Sequence, residues 1–151
     1  MNQHYGPRLK YLHFCTDQAI TDAVSALDLT AAQGHILSFL SHRPHPPCPK
    51  DIEDAFHLSH PTVSGLLSRL EKKEFIAIRP DEIDRRCKRI YLLPKGEACH
   101  QQIHQIIDET EQRLCRGFSP EEKEILARLL DKSIANMGGN PYKHCQKEEK
   151  P

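Results

Sequence analysis

Apolar residues in this chain recur mostly at helical spacing, and two short runs alternate instead, so the pattern predicts helices with one small hairpin. Leu9, Leu12, Ile20, Ala23, Val24 and Leu27 mark a first amphipathic helix that stops near Asp28. Thr30 with Gln33 three residues on reads as a capping box, and Ile36, Leu37 and Leu40 line the helix it opens. Pro44, Pro46, Pro47 and Pro49 end that helix and force an extended connector. Ile52, Ala55 and Phe56 share one face of a short helix over 50–57. A turn at Leu58-Ser59-His60 follows. Ser59 is a plausible cap and Pro61 is tolerated in the first turn of the next helix, whose apolar stripe is Val63, Leu66, Leu67 and Leu70. Two short helices joined by a tight turn, the second with a polar, small-residue start, form a helix-turn-helix.

The alternating runs come next. Phe75 to Arg79 and Arg89 to Leu93 predict two strands, with the charged stretch Pro80 to Lys88 as a hairpin tip. Lys95 to Arg116 predicts a long helix with a weak apolar face. Ser119-Pro120-Glu121-Glu122 combines a capping box, a first-turn proline and first-turn acids. Ile125, Leu126, Leu129, Leu130 and Ile134 line the helix it starts, and Gly138-Gly139 ends it. Residues 1–8 are expected to be flexible, and 138–151 to form a polar, disordered tail. The predicted class is mainly α with a small β-wing (α+β).

At 151 residues the chain makes about one domain, and its 38 % hydrophobic content suggests a core completed at a subunit interface. No apolar run is long enough for a membrane span, and the polar start lacks a signal-peptide core, so a cytoplasmic location is expected. The six cysteines are scattered singly and are expected to be reduced thiols. Net charge is zero, but residues 60–95 hold nine basic against five acidic side chains. The helix-turn-helix and hairpin are thus the basic part of the chain, and local fields govern encounter with a polyanion.

Leu29-Thr30-Ala31-Ala32-Gln33 with Ile36-Leu37, Ser59 to Ser64 with Leu67 and Arg69 to Lys73, and Asp84-Arg85-Arg86 with Ile90-Tyr91-Leu92, Lys95 and Gly96 resemble, in order and spacing, segments of the MarR family. Ser119 to Glu122 is similar to the start of that family's last helix. The resemblance covers residues 9–137. It implies a winged helix-turn-helix with a DNA-binding core over 30–95 and dimerisation helices over 9–28 and 96–137. It also implies a homodimer on a pseudo-palindromic double-stranded operator, acting as a repressor that a small ligand or another signal releases. Two positions depart from the family pattern: Glu74 stands where Gly is usual, and Leu93 where Thr is usual.

Ser59, His60, Pro61, Thr62, Ser64 and Arg69 are the candidate DNA contacts of the second helix of the motif. Ser59 and Thr62 suit phosphate, and His60 and Arg69 suit base edges. In the hairpin, Asp84 is expected to orient the Arg86 guanidinium for a minor groove, with Arg85, Lys88 and Arg89 on flanking phosphates. Cys87 is read as a structural or incidental cysteine, the alternative being a thiolate favoured by Arg86 and Lys88 beside it. His100 and His104 share a helix face and, with His35 and Cys99, are candidates for a metal site, against the reading of ordinary surface or interface histidines. The alternatives are a zinc-type metal-responsive repressor of the same fold and a winged-helix protein-interaction module. An enzyme is not expected, since no GxSxG, HExxH or phosphate-cradling glycine loop occurs, and no cofactor is implied.

Overall fold

The computed structural model describes residues 4–141; the predictions for residues 1–3 and for the tail from 142 onward lie outside it. Helix α1 spans Tyr5–Val24 and runs into a 3-10 turn at Ser25–Leu27, which Asp28 closes in the left-handed region at φ 58°. The helix begins at Tyr5, four residues before the first stripe position, so it takes in residues 5–8. Pro7 falls in the first turn, where its missing N–H breaks no helical hydrogen bond.

Helix α2 (Ala31–Ser41) opens with the predicted box: Thr30 Oγ1 accepts from Gln33 N, and Gln33 Oε1 accepts from Thr30 N at 3.1 Å. Gln33 is buried, and this reciprocal bond is what satisfies its amide oxygen there. Helix α3 (Pro49–Phe56) and helix α4 (His60–Lys72) follow the proline connector. Strands β1 (Ile76–Pro80) and β2 (Lys88–Leu92) pair antiparallel, with Ile76 opposite Leu92 and Pro80 opposite Lys88. Each strand is one residue displaced from its predicted span. Phe75 still belongs to the helix exit, its N–H donating to Leu70 O at 3.0 Å.

Helix α5 (Pro94–Leu114) returns across α1 and α2. Val24, Leu37, Ile52, Leu67, Leu70, Phe75, Ile90 and Ile103 are fully or almost fully buried, so every element from α1 to α5 contributes to one core. Chain turns are pinned by long side chains. Lys73 Nζ donates to Asp28 O at 2.6 Å, and Lys95 Nζ donates to Lys73 O at 2.8 Å while lying over the Phe75 ring. The connector joins the hairpin, since Ile90 N donates to Pro47 O at 2.9 Å.

These elements form one compact unit ending at Leu114, and the chain from Cys115 forms a second. In the second unit, helix α6 (Pro120–Asn136) carries the predicted box: Ser119 Oγ accepts from Glu122 N and Glu122 Oε2 from Ser119 N. Its apolar stripe is laid bare, with Ile125, Leu129 and Leu130 exposed. In the first unit, α1 likewise exposes Tyr5, Leu9, Tyr11, Leu12 and Phe14. Among the described residues, no helix is long and apolar enough to cross a membrane.

Candidate nucleic-acid interface

The helix-turn-helix is built from local rules. Cys48 N donates to Asp51 Oδ2 at 2.9 Å and Pro49 occupies the first turn, so α3 starts where the prolines stop. His57 then takes a left-handed conformation, φ 52°, and turns the chain out of α3. Ser59 caps α4: its Oγ accepts from Thr62 N at 3.4 Å and lies 2.9 Å from Thr62 Oγ1. Val63, Leu66, Leu67 and Leu70 are buried, which leaves Ser59, His60, Pro61, Thr62, Ser64 and Arg69 exposed. All six candidates on this segment are therefore available to a partner. The Ser59 and Thr62 hydroxyls also hold the helix start, so they combine a capping role with an exposed surface.

His60 is not a free surface ring. Its Nδ1 lies 2.6 Å from Glu53 Oε1 on α3, and Glu53 Oε2 is 3.5 Å from Lys50 Nζ. The His60 side chain is 75 % exposed, whereas that of Glu53 is only 11 % exposed.

The hairpin tip has a different organiser from the one expected. Asp81 Oδ1 accepts from Ile83 N at 2.7 Å and Asp84 N at 3.2 Å, and Asp81 Oδ2 accepts from Arg89 Nε at 2.5 Å. Arg89 is half-buried, and its Nη1 also donates to Pro46 O at 3.4 Å. The guanidinium of Arg89 is thus turned into the base of the wing rather than outward, and it ties the wing to the proline connector. Its hydrogen bond, followed by those from the Ile83 and Asp84 backbone, holds the Asp81 carboxyl down at about 2.

Asp84 does not hold the Arg86 guanidinium. The segment is a turn, not a strand, so residues two apart do not share a side. Asp84 Oδ1 instead accepts from the backbone N–H of Arg86 at 3.1 Å, and Oδ2 takes the Cys87 thiol at 3.7 Å. The thiolate alternative for Cys87 is not favoured: the Asp84 charge, followed by desolvation, pushes that thiol up. Arg85, Arg86 and Lys88 remain exposed, as does Ile83 at the tip.

The metal candidates are not gathered. His100 Nδ1 bonds to Glu97 O at 2.8 Å, His104 Nε2 is 3.5 Å from Asp108, and Cys99 is buried with its thiol on Gly96 O. The charged groups bearing on His35 are Asp17, Glu111 and His13. Among the described residues, no group of three or more His, Cys, Asp or Glu side chains is placed to hold a metal. The sequence reading missed Asp81 and Glu53. Asp81 stands just outside the hairpin register that brings it near Arg89, so only a register prediction could have exposed that pairing.

The comparisons with known proteins fit this geometry. The family model described as "MarR family" matches residues 27–86. The HTH-type transcriptional regulator PecS of Dickeya dadantii is 31 % identical over 126 residues, covering 82 % of this chain and 76 % of the relative. Among solved structures, the MepR–DNA complex of S. aureus has a TM-score of 0.81 at 30 % identity, covering 89 % of this chain and 96 % of that one. A MarR mutant of E. coli complexed with operator DNA has a TM-score of 0.78 at 24 % identity, covering 85 % of this chain and 92 % of that one. With the winged helix-turn-helix and its exposed polar and basic face already in place, the relation to PecS leaves one assignment: the chain belongs to the MarR family.

Proposed function

We propose that this chain is a cytoplasmic, homodimeric, sequence-specific DNA-binding regulator of transcription. It represses from a pseudo-palindromic operator and is released by a small ligand or another signal. It is a regulator and not an enzyme. The observation that carries the reading is the coincidence of two exposed surfaces on one packed unit. One is the polar face of α4, with His60, Thr62, Ser64 and Arg69; the other is the wing with Arg85, Arg86 and Lys88. A polar helix face fits a major groove about 12 Å wide. Wing arginines fit the negative potential of a narrow minor groove. Arg89, with Asp81, serves as the wing's internal brace.

Dimerisation is supported by the uncovered apolar side chains of α1 and, separately, of α6. Both helices lie in the segments that the family resemblance assigns to the subunit interface. Two motifs related by a two-fold axis read half-sites about one helical turn apart. MepR and MarR relatives have been solved bound to DNA, in agreement with this partner. An open cleft of about 230 Å³ lies between the end of α2, the proline connector, β2 and the start of α5. Arg43, His45, Tyr91 and Glu97 give it polar groups.

The test is fluorescence anisotropy on the promoter DNA upstream of the protein's own gene, with random duplex as competitor. A dimer neutralising about six to ten phosphates loses roughly 10³–10⁵ in affinity between about 50 and about 200 mM salt. Tight binding with that dependence and a preference over random DNA is the expected result. Salt-independent binding, or none to any duplex selected from a randomised pool, rejects the reading in favour of a protein-interaction module.

A further inference from the structure

We propose that Glu53 is a positioning residue for DNA readout: it holds the ring of His60 at the head of α4 so that Nε2 is presented to DNA as a hydrogen-bond donor. Binding is thereby coupled to a proton on that ring. The inference rests on α4 being the DNA-facing helix.

The two ends of the Glu53–His60 contact are unequal. The Glu53 side chain on α3 is 11 % exposed, and its second oxygen is 3.5 Å from Lys50 Nζ. Lys50 in turn reaches Asp54 at 3.4 Å. Glu53 is therefore the fixed end. His60, 75 % exposed, is the end that would otherwise sample several rotamers. The 2.6 Å contact to Nδ1 selects one of them. A ring ordered before DNA arrives saves part of the ordering cost of binding.

The same contact decides what the ring can offer. The two nitrogens of an imidazole lie on different edges, so a ring with Nδ1 on Glu53 turns Nε2 away from α3. A carboxylate accepts and cannot donate, so Nδ1 carries a hydrogen. What remains is Nε2, at the first residue of a helix whose N-terminal end favours anions and electron-rich acceptors. The acceptors DNA offers there are a phosphate oxygen or the major-groove base atoms guanine O6 and N7, adenine N7 and thymine O4. Donating to either requires a hydrogen on Nε2 as well, which makes the bound ring an imidazolium. Each protomer that binds with a neutral ring must take up one proton, so affinity rises as pH falls. The charged group in contact with the ring is Glu53, with Lys50 and Asp54 beside it on α3; on α4 itself the positive end of the helix dipole opposes a charge on the ring, so the Glu53 carboxylate is what favours it.

The experiment measures Kd by anisotropy on a duplex that the wild type selects from a randomised library, at about pH 6 and about pH 8. Wild type, Glu53→Gln, Glu53→Ala and His60→Asn are compared, each checked for native melting and dimerisation. The wild type is expected to bind at least about tenfold tighter at the lower pH. His60→Asn should remove most of that ratio, and Glu53→Ala should reduce both the ratio and the affinity at the lower pH by at least about threefold. Glu53→Gln keeps the shape and an acceptor oxygen but not the charge, so it should retain more affinity than Glu53→Ala and still show a smaller ratio. Loss of preference at one base pair in His60→Asn identifies a base edge as the acceptor, while a uniform loss across sequences identifies phosphate. A wild-type pH ratio in His60→Asn overturns the proposal. So does a wild-type ratio and affinity in both Glu53 variants. Failure of the wild type to select any duplex overturns the DNA-binding reading itself, a result distinct from either of these.

Discussion

Glu74 leaves α4 at φ 63°, in the left-handed region where a side chain is strained and glycine is at ease. The hydrogen bonds there are those of a Schellman motif: Glu74 N donates to Glu71 O at 2.9 Å, and Phe75 N to Leu70 O at 3.0 Å. The motif closes around buried Phe75, so packing imposes the conformation whichever residue stands at the bend. Replacing the usual glycine has therefore kept the turn's shape and left strain in it. Glu74→Gly should raise unfolding stability by about 0.5–1 kcal/mol, read as a shift of the denaturation midpoint. A lowered midpoint would show instead that the carboxylate makes a compensating contact. Gly96 is the opposite case. A Cβ there would come within 2.5 Å of Phe75 O and 2.7 Å of a Leu92 methyl, where α5 starts beside the hairpin. Gly96→Ala should destabilise by about 1–3 kcal/mol through this overlap, and an unchanged melting curve would refute the close approach.

Among the elements, the wing has the most to lose from one substitution. Two strands of five residues are marginal alone. Asp81 adds three bonds at the tip and, through Arg89, a tie to the connector. Asp81→Ala should leave global melting nearly unchanged while hydrogen-exchange protection of residues 83–89 collapses and DNA affinity falls several-fold. Retained protection would assign the order of the tip to the strands alone. The sign of the pH effect follows from the lowered carboxyl: the brace is complete above the ordinary value of 3.8 and is lost as pH falls through about 2. Arg86 tests the wing's outer face, since it is exposed and its own backbone is already held by Asp84. Arg86→Ala should weaken operator binding at least about tenfold without altering the melting temperature or the dimer. Wild-type affinity in that protein would remove the wing from the mechanism.

For the whole molecule, His35 on α2 is an ionisable group that bears on stability. Burial lowers its pKa below the ordinary 6.5, with the Asp17 and Glu111 charges pulling partly the other way. The unfolded chain then binds more protons than the folded one below pH 6.5, so stability drops as pH falls from that value through the lowered one. His35→Gln should flatten the melting temperature against pH in this window relative to wild type. An identical slope in the two proteins would mean that other histidines carry the acid sensitivity. The uncovered apolar faces of α1 and α6 act at this scale too, because 38 % hydrophobic residues and two exposed stripes leave a monomer short of buried surface.

Local chemistry was readable from order along the chain. Thr30 with Gln33 and Ser119 with Glu122 cap their helices as their three-residue spacing predicts, because both partners sit within one turn. The α4 stripe from Val63 to Leu70 is buried as its period requires, and its polar complement is exposed. Periodicity and capping depend on neighbours in sequence, so they determined the helices, the hairpin and the outward-facing candidates. The tertiary structure alone decided which charges meet. Glu53 reaches His60 across a turn, Lys73 reaches Asp28, and Arg89 reaches Asp81 and Pro46. These pairings depend on distances through space, which are set only once helices pack and strands take their register.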